Sequence, residues 1–325
     1  MFAAAPLVAL TAYYNPFRGA RRLRNYHVFR KNLGDVPLVA VEWSPDGRFD
    51  LRPDDADVLI RVQGGDLMWQ KERLLNRGLA RIRAEGLARD VAIIDADVVF
   101  AEADWVRRIL TALETRPLIQ CHRQVDYMPD IAREIRERDA LARVEPERSL
   151  PSLAYALGHG EPLFTSDPER MRAFAFHGTT APSSGNAGIA IAVRLTDLPR
   201  FELYDANIVG GADLLLATSY IGRTQEFFEP RGYSLAHRAD AAAWAARCLP
   251  PPPRPPIGWA DNRALHLWHG PLEDRQYAQR LRILGPRNYD PARDIDRSGE
   301  ALRFRDTAAE LKAAVGQYLA SRHDA

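Results

Sequence analysis

Cysteine and lysine are scarce in this sequence. Its 325 residues include two cysteines, Cys121 and Cys248, and they are far apart and without the spacing of a zinc site. A disulfide framework is therefore not indicated, and a reducing, cytoplasmic location is expected. Lysine occurs only at positions 31, 71 and 312, so almost all of the 44 basic residues are arginines.

The chain also lacks an excess of charge of either sign. The 44 basic residues are balanced by 43 acidic ones, which gives a net charge of +1. Because both signs are scattered along the chain, nucleic acid is not an expected partner. The apolar run FAAAPLVALTAYY near the N-terminus has no basic residues before it and is too short to span a bilayer. It predicts a first buried strand, and no transmembrane segment is expected.

A glycine-rich phosphate loop is missing as well. The segment NPFRGARR, which follows the first predicted strand, contains a single glycine. It matches neither the dinucleotide-binding fingerprint nor the Walker loop, both of which need several glycines at fixed spacing. If the protein binds a phosphate-bearing ligand, we expect a metal ion to hold it.

What the sequence does contain is an alternation of strand and helix patterns. Strands are predicted at 7–13, 37–43, 58–62, around Ala92 and at 118–121, and helices at 16–33, from Trp69 onward and after Asp104. Such alternation predicts an α/β fold with a mostly parallel sheet covered on both faces. Ligands of such sheets bind at the carboxyl ends of the strands.

The pattern Asp-x-Asp occurs three times, in the polar turn RPDDAD, the apolar run VAIIDADVVF and the charged segment PARDIDR. Only Asp95 and Asp97 interrupt an apolar run, where buried carboxylates cost free energy unless they are paired or bound to metal. A strand would aim both in one direction, toward a shared divalent cation. The alternative is that they end the strand and cap the next helix, for which Asp104 is better placed.

The second half of the chain shows fewer regular patterns. The segment IAREIRERDALARVEPER predicts a charged, solvent-facing helix within a variable region. SSGNAGIAIAVRL predicts a further strand, or a strand that enters a helix near Leu195. In YDANIVGGADLLLATSYIG, Gly210 and Gly211 allow close backbone approach, and Asp213 opens an apolar helix. Asp213 is a candidate for a helix cap and for a catalytic base, and the two roles do not exclude each other.

A proline-rich segment, PPPPRPP, precedes ADNRALHLWHG, which contains His266 and His269. The prolines indicate a stiff spacer or, alternatively, a docking ligand. On a helix the two histidines would share a face, whereas on an extended segment they would point apart. His269 is a candidate metal ligand, with a purely structural histidine as the alternative. The last segment, from Asp306 to the end, predicts a helix that packs on the core, or alternatively lies on a membrane surface.

Six segments in this order resemble the GT-A-fold nucleotide-sugar glycosyltransferases: LTAYYNP, LMWQKERLLNRGL, IIDADVVF, NAGIAIAVR, VGGADLLLA and HLWHGPLEDRQY. The resemblance is strongest to a bacterial and phage group similar to the family 2 transferases and to the catalytic half of the galactosyltransferases. It implies a GT-A-type, Rossmann-like α/β/α sandwich. The implied division is a nucleotide-sugar-binding half at 1–124, a variable insertion at 125–184, an acceptor and catalytic half at 185–295, and a C-terminal helix at 296–325.

The resemblance also implies roles for individual residues. Asp97 would be the direct ligand of Mn²⁺ or Mg²⁺, Asp95 would lie near the ribose and a metal-bound water, and His269 would be a late metal ligand. Asp213 would be the catalytic base. The implied donor-positioning residues are Tyr13, Asn15, Glu42, Lys71 and Asn76.

The implied activity is that of a metal-dependent, inverting glycosyltransferase of the hexosyltransferase type. It would move a sugar from a nucleoside diphosphate donor, a UDP-sugar, to a glycan, a lipid-linked acceptor or another hydroxyl. Two departures stand out: Ile189 or Ile191 replaces a tryptophan of the relatives, and Asp213 lacks neighbouring acids. A sugar-phosphate nucleotidyltransferase and a degenerate GT-A module that only binds a partner remain as alternatives.

Overall fold

The computed structural model describes residues 5–164, 183–228, 231–270 and 280–322. The strands are β1 Ala5–Tyr14, β2 Leu38–Ser44, β3 Val58–Gln63, β4 Ala88–Ile94, β5 Val98–Phe100, β6 Leu118–Gln120, β7 Gln124–Tyr127, β8 Arg148–Pro151, β9 Ala190–Arg194, β10 Gly258–Trp259, β11 Arg263–His266, β12 Ile295–Asp296 and β13 Arg303–Phe304. The α-helices are α1 Ala20–Asn32, α2 Lys71–Glu85, α3 Trp105–Leu113, α4 Arg138–Leu141, α5 Leu153–Gly158, α6 Ala212–Tyr220, α7 Thr224–Phe228, α8 Leu235–Cys248, α9 Leu281–Leu284, α10 Pro291–Asp294 and α11 Ala309–Ala320.

Seven strands form the main sheet, in the order β10-β6-β9-β4-β1-β2-β3. All neighbours run parallel except β9, which is antiparallel to both β4 and β6. Every strand and helix predicted in the first third of the chain is present, with boundaries that differ by a few residues. The prediction of a Rossmann-like α/β/α sandwich with a mostly parallel central sheet is therefore confirmed.

The two faces of the sheet bury two separate apolar layers. Val8 and Leu10 of β1 belong to the core that contains α2, whereas Leu7 packs on the other face with Phe29 of α1. A Cβ at Gly78 would lie 2.2 Å from Leu10 Cδ1, so glycine lets α2 approach β1 closely. The continuous apolar run of β1 follows from burial on both faces.

A second sheet of four strands, β5-β11-β7-β8, adjoins the main one. The run VAIIDADVVF, predicted as one strand, is divided between the two sheets: β4 ends at Ile94, and β5 begins at Val98 and pairs antiparallel with β11. The three residues between them lie at the junction of the sheets. This junction contains Asp95 and Asp97.

Two local predictions are wrong. The charged segment at 131–148 is not one helix but a short 3-10 turn, Asp130–Glu134, followed by the four-residue α4. Its acids pair with α1, for example Glu134 with Arg24 at 2.7 Å. Asp104 stands at the N-cap of α3 but makes no capping hydrogen bond, because its carboxylate pairs with Arg107 and Arg108.

The C-terminal helix packs on the core, as predicted, through Leu311, Val315 and Leu319. The segment that leads to it is held by Gln70, whose fully buried amide donates to Leu302 O at 2.9 Å and accepts from Leu302 N at 2.9 Å. None of the helices in the described part of the chain has the length and apolar character needed to cross a bilayer.

Gln70 should therefore contribute measurably to stability. We expect Gln70→Ala to lower the free energy of unfolding by about 1–3 kcal/mol, because both backbone groups of Leu302 lose a buried partner. Urea denaturation measures the change, with the exposed Gln317→Ala as the control. Equal stability of the two variants would contradict this role.

Candidate functional site

A polar cavity opens at the carboxyl ends of β1 and β4, where the fold predicts a ligand. Its polar lining residues are Arg22, Asn25, Lys71, Glu72, Asp95, Asp97, Asn186, Asp213, His266, His269, Arg280 and Arg322. Its aromatic lining residues are Tyr13, Tyr14, Trp69 and Tyr127. Ionisable groups of both signs are thus concentrated in one cavity, which is typical of a catalytic or binding site.

Asp97, His266 and His269 form a cluster within this cavity. The Nε2 atoms of His266 and His269 lie 3.8 and 3.3 Å from the two carboxylate oxygens of Asp97. One potential ligand atom from each residue falls within 4.8 Å of the others, and both imidazoles are buried. Two imidazoles and a carboxylate are suitable ligands for a divalent cation.

The cluster corrects the expectation that the two histidines point apart. Strand β11 ends at His266, so the alternation of side chains along a strand does not extend to His269. The Leu267 N–H instead donates to Asp97 O at 2.8 Å, and the two imidazole centroids are 5.0 Å apart. His266 is the ligand candidate that the sequence did not single out.

Asp95 pairs with the side-chain ammonium of Lys71 and does not belong to the cluster of Asp97, His266 and His269. Lys71 Nζ, in the first residue of α2, is 2.5 Å from Asp95 Oδ1. Burial alone would lower the pKa of Lys71, but the carboxylates of Asp95 and Glu72 outweigh it and raise that pKa, so the ammonium stays charged. Asp95 therefore lies outside the grouped metal-ligand atoms, and its predicted role near the ribose remains a prediction.

Asp213 lies in the first turn of α6, whose N-cap is Gly211. Its Oδ1 accepts a hydrogen bond from Leu214 N at 3.0 Å. A Cβ at Gly188 would lie 2.2 Å from Asp213 Oδ2, so the carboxylate rests against bare backbone inside the cavity. The predicted helix-capping role of Asp213 is wrong, because Gly211 is the N-cap and Asp213 lies inside the first turn of the helix. Its role as a base remains a prediction.

Ile189 has a backbone conformation that is rare for a β-branched residue, with φ of 77°. It follows Gly188, and its carbonyl accepts from Asp95 N at 2.8 Å. The strained residue therefore connects the backbone beneath Asp213 to the backbone of Asp95. Strain of this kind is found mainly where the surrounding structure holds a functional site in place.

Glu72 is a further cavity carboxylate, which the sequence analysis did not mark as functional. Its pKa is raised to about 7, because burial and, less strongly, the charge of Asp213 raise it more than Lys71 lowers it. In the sequence, Glu72 follows Trp69 at the helical spacing of three residues, and this spacing is the signal that could have identified it.

Tyr13 and Asn15 belong to a network behind the cavity. Tyr13 lines the cavity, and its hydroxyl donates to Asp50 Oδ2 at 3.1 Å. Asn15 donates to Tyr13 Oη and to Asp50 Oδ2, each at 3.0 Å. The network orients Tyr13, and the donor-binding role of the two residues stays a prediction.

Glu42 and Asn76 are not among the lining residues. Glu42 is fully buried and accepts from the backbone N–H groups of Asp50 and Leu51. Asn76 exchanges two hydrogen bonds of 2.8 Å with the backbone of Leu203. Their polar atoms hold loops in place, so any effect on a donor would be indirect.

Comparisons with known proteins add little to this geometry. No protein-family model matches the chain, and no curated protein sequence matches it. A solved glucosyl-3-phosphoglycerate synthase from Mycobacterium tuberculosis, in complex with Mg²⁺ and UDP, is 12% identical with a TM-score of 0.33, over 86% of this chain and 77% of that one. A mannose-1-phosphate geranyltransferase from Thermus thermophilus is 12% identical with a TM-score of 0.31, over 81% and 74%. Similarity at this level carries no argument about function.

The raised pKa of Glu72 predicts a pH-dependent cost of folding. Between pH 4.5 and about 7 the folded protein keeps a proton on Glu72 that the unfolded chain has lost, so this residue makes stability fall as pH rises. We expect Glu72→Gln to be little different from wild type at pH 4.5 and more stable at pH 8, by at most about 3 kcal/mol.

Urea denaturation of both proteins at several pH values measures this difference. Glu310→Gln, at an exposed position in the first turn of α11, is the control and should show no such trend. A stability difference between Glu72→Gln and wild type that is independent of pH would contradict the shifted pKa.

Proposed function

We propose that this protein is a metal-dependent, inverting glycosyltransferase that moves a sugar from a UDP-sugar to an acceptor hydroxyl. The observation that carries the proposal is the presence in one cavity of a possible metal-binding cluster, Asp97, His266 and His269, and a separate carboxylate, Asp213. The reaction needs both: a diphosphate leaving group must be neutralised, and the attacking hydroxyl must lose a proton.

Asp97, His266 and His269 would hold the divalent cation. Mn²⁺ suits this set better than Mg²⁺, because Mg²⁺ prefers oxygen ligands and two of the three side chains offer imidazole nitrogen. When bound, the cation would neutralise the negative charge that grows on the departing diphosphate. Lys71 would keep Asp95 paired, so that the second carboxylate does not add repulsion toward the same diphosphate.

Asp213 is proposed as the base that accepts the proton of the acceptor hydroxyl. One base acting on the face opposite the leaving group predicts inversion at the anomeric carbon. Glu72 is a second candidate base, because a carboxyl group with a pKa of about 7 is suited to proton transfer at neutral pH. Tyr13 would contact the nucleotide, with Asn15 holding its hydroxyl and with Glu42 and Asn76 acting through the loops they support.

The alternatives make different demands on the ligand. A sugar-phosphate nucleotidyltransferase would bind a nucleoside triphosphate, and a module that only binds a partner would need no nucleotide. The acceptor could be a glycan or a lipid-linked hydroxyl, and contact with a membrane surface is compatible with either.

The metal cluster predicts that nucleotide binding requires Mn²⁺. A ligand that binds only the folded state stabilises it, by about 2.7 kcal/mol at a hundred times its dissociation constant. We expect UDP with Mn²⁺ to raise the melting temperature, UDP alone to raise it much less, and His266→Ala and Asp97→Asn to lose the metal-dependent part. His27→Ala, which removes an exposed imidazole on α1, is the control.

The other nucleotides decide between the functions. A metal-dependent shift with a nucleoside triphosphate and none with any diphosphate would favour the nucleotidyltransferase. If no combination of nucleotide and metal raised the melting temperature, the result would favour the binding module and contradict the proposed activity.

If Asp213 is the base, its substitution should reduce sugar transfer without weakening nucleotide binding. We expect Asp213→Asn to reduce turnover by about 10²–10⁴-fold while the affinity for UDP with Mn²⁺ stays nearly unchanged. Gly188→Ala should also lower turnover at nearly unchanged stability, because the new methyl group displaces the Asp213 carboxylate and not a backbone atom. Release of UDP from a UDP-sugar in the presence of an acceptor measures both.

Gly316→Ala is the matched control, since a Cβ at Gly316 would meet no atom within 4 Å. It should leave turnover unaltered. If Asp213→Asn retained near wild-type turnover while Glu72→Gln lost it, the base would be Glu72.

A further inference from the structure

The segment that carries His269 leaves the small sheet before it reaches the possible metal cluster. Strand β11 ends at His266, and the next residue, Leu267, donates from its N–H to Asp97 O at 2.8 Å. Within the described residues 231–270, no strand includes Trp268 or His269. Strand pairing therefore does not fix the backbone from which the His269 imidazole extends, and another contact has to do so.

Helix α1 supplies such a contact through Asn25. This side chain is only 5% exposed, and its Nδ2 donates to Trp268 O at 3.1 Å. The carbonyl of Trp268 belongs to the planar peptide group that it shares with the N–H of His269. The hydrogen bond from Asn25 therefore restrains the peptide plane directly before the His269 side chain.

The indole of Trp268 contacts the same helix. The guanidinium carbon of Arg21 lies 3.9 Å from the centroid of that ring. A guanidinium this close to the face of an indole is attracted by the ring electrons. Arg21 and Asn25 are four residues apart in α1, so they lie on one face of the helix. Trp268 is thus held to that face both by its backbone and by its ring.

Helix α1 is itself fixed on the main sheet. Tyr26 and Phe29 are fully buried in the apolar layer on one side of that sheet. The Tyr26 hydroxyl also donates to Asp55 O at 2.9 Å. Because Asn25 directly precedes Tyr26, the donor to Trp268 is attached to a part of the helix that the core holds in place.

The set Arg21, Asn25 and Trp268 is named here the α1 clamp. We propose that the α1 clamp sets the position of His269 and thereby the affinity of the metal cluster for its divalent cation. The inference rests on the proposed function, which assigns a cation to that cluster. In the clamped position His269 Nε2 lies 3.3 Å from Asp97 Oδ2. The described lining of the cavity does not include Arg21 or Trp268, so these two residues act through His269.

The physical reason is the order that metal binding requires. An imidazole that can shift or rotate has to be immobilised when the cation binds, and the lost freedom weakens binding. The α1 clamp holds His269 beside Asp97 when the protein folds, before any cation arrives. Groups that orient a metal ligand commonly change metal affinity by about 10–100-fold when they are removed.

Titration of Mn²⁺ into the nucleotide-free full chain tests the α1 clamp, with free Mn²⁺ followed by electron paramagnetic resonance. We expect Asn25→Ala to weaken Mn²⁺ binding at least about tenfold and Arg21→Gln to weaken it about threefold. The matched control is Arg24→Gln, on the next turn of α1, where the arginine pairs with Glu134. It should leave the affinity unchanged. His269→Ala shows the effect of losing the imidazole itself.

Substitutions of the indole separate the α1 clamp from a general loss of packing. Trp268→Phe keeps an aromatic face for Arg21 and should retain most of the Mn²⁺ affinity, whereas Trp268→Leu should lose about as much as Arg21→Gln. Adding Arg21→Gln to Trp268→Leu should have no further effect. Adding Asn25→Ala should still weaken binding, because Asn25 contacts the backbone carbonyl. Circular dichroism at the titration temperature establishes that each variant is folded.

Failure of this inference differs from failure of the proposed function. If wild type binds Mn²⁺ and His269→Ala weakens it, while folded Asn25→Ala and Arg21→Gln match the control, the α1 clamp is refuted and the proposed function stands. If Asn25→Ala does not fold, Arg21→Gln and the two Trp268 variants decide. If wild type binds no Mn²⁺, or His269→Ala binds it as wild type does, the proposed ligand set fails and this inference fails with it.

Discussion

The passage of the chain from the main sheet into the small one, at residues 95–97, is the constraint on which the site depends. Two backbone hydrogen bonds hold this passage: Asp95 N donates to Ile189 O at 2.8 Å, and Leu267 N donates to Asp97 O at 2.8 Å. The first ties it to the strained turn before β9, and the second ties it to the segment after β11. Asp95 and Asp97 are thereby held at the end of β4, and the histidines of the distant β11 segment are brought to Asp97.

The cavity concentrates charge in a way that packing alone would not favour. Four carboxylates and four arginine or lysine side chains line it, and burial shifts the pKa of several of them. Part of the cost is offset inside the protein, where Lys71 pairs with Asp95. Asp97 meets the imidazoles of His266 and His269.

How far the sequence predicts this arrangement depends on the range of the contacts involved. The strands of the parallel sheet were predictable because burial on both faces leaves continuous apolar runs. Asp95, Asp97 and Asp213 stood out because they interrupt or follow such runs. His266 was not assigned as a ligand, because its position beside Asp97 arises from the pairing of β11 with β5, and no local pattern encodes a pairing between distant segments.

Arg280 and Arg322 also line the cavity through contacts between distant segments, so no local pattern identified them. In a chain whose basic residues are nearly all arginine, a single arginine carries no signal. Glu72 is similar, since a glutamate in the first turn of a helix is ordinary until its burial is known. The prediction that the C-terminal helix packs on the core was correct, but it did not include Arg322, two residues beyond the end of that helix.

That helix links stability to the site. Its apolar stripe fixes it on the core, and Gln70 fixes the hairpin before it, with Lys312 adding an ion pair to Asp66 at 2.6 Å. Gln70 immediately precedes α2, which begins with Lys71 and Glu72. The contact that positions the C-terminal segment, and with it Arg322, therefore also fixes the first turn of the helix that supplies two ionisable groups to the cavity. Loosening the C-terminal segment would disturb both, because the buried amide of Gln70 links that segment to the start of α2.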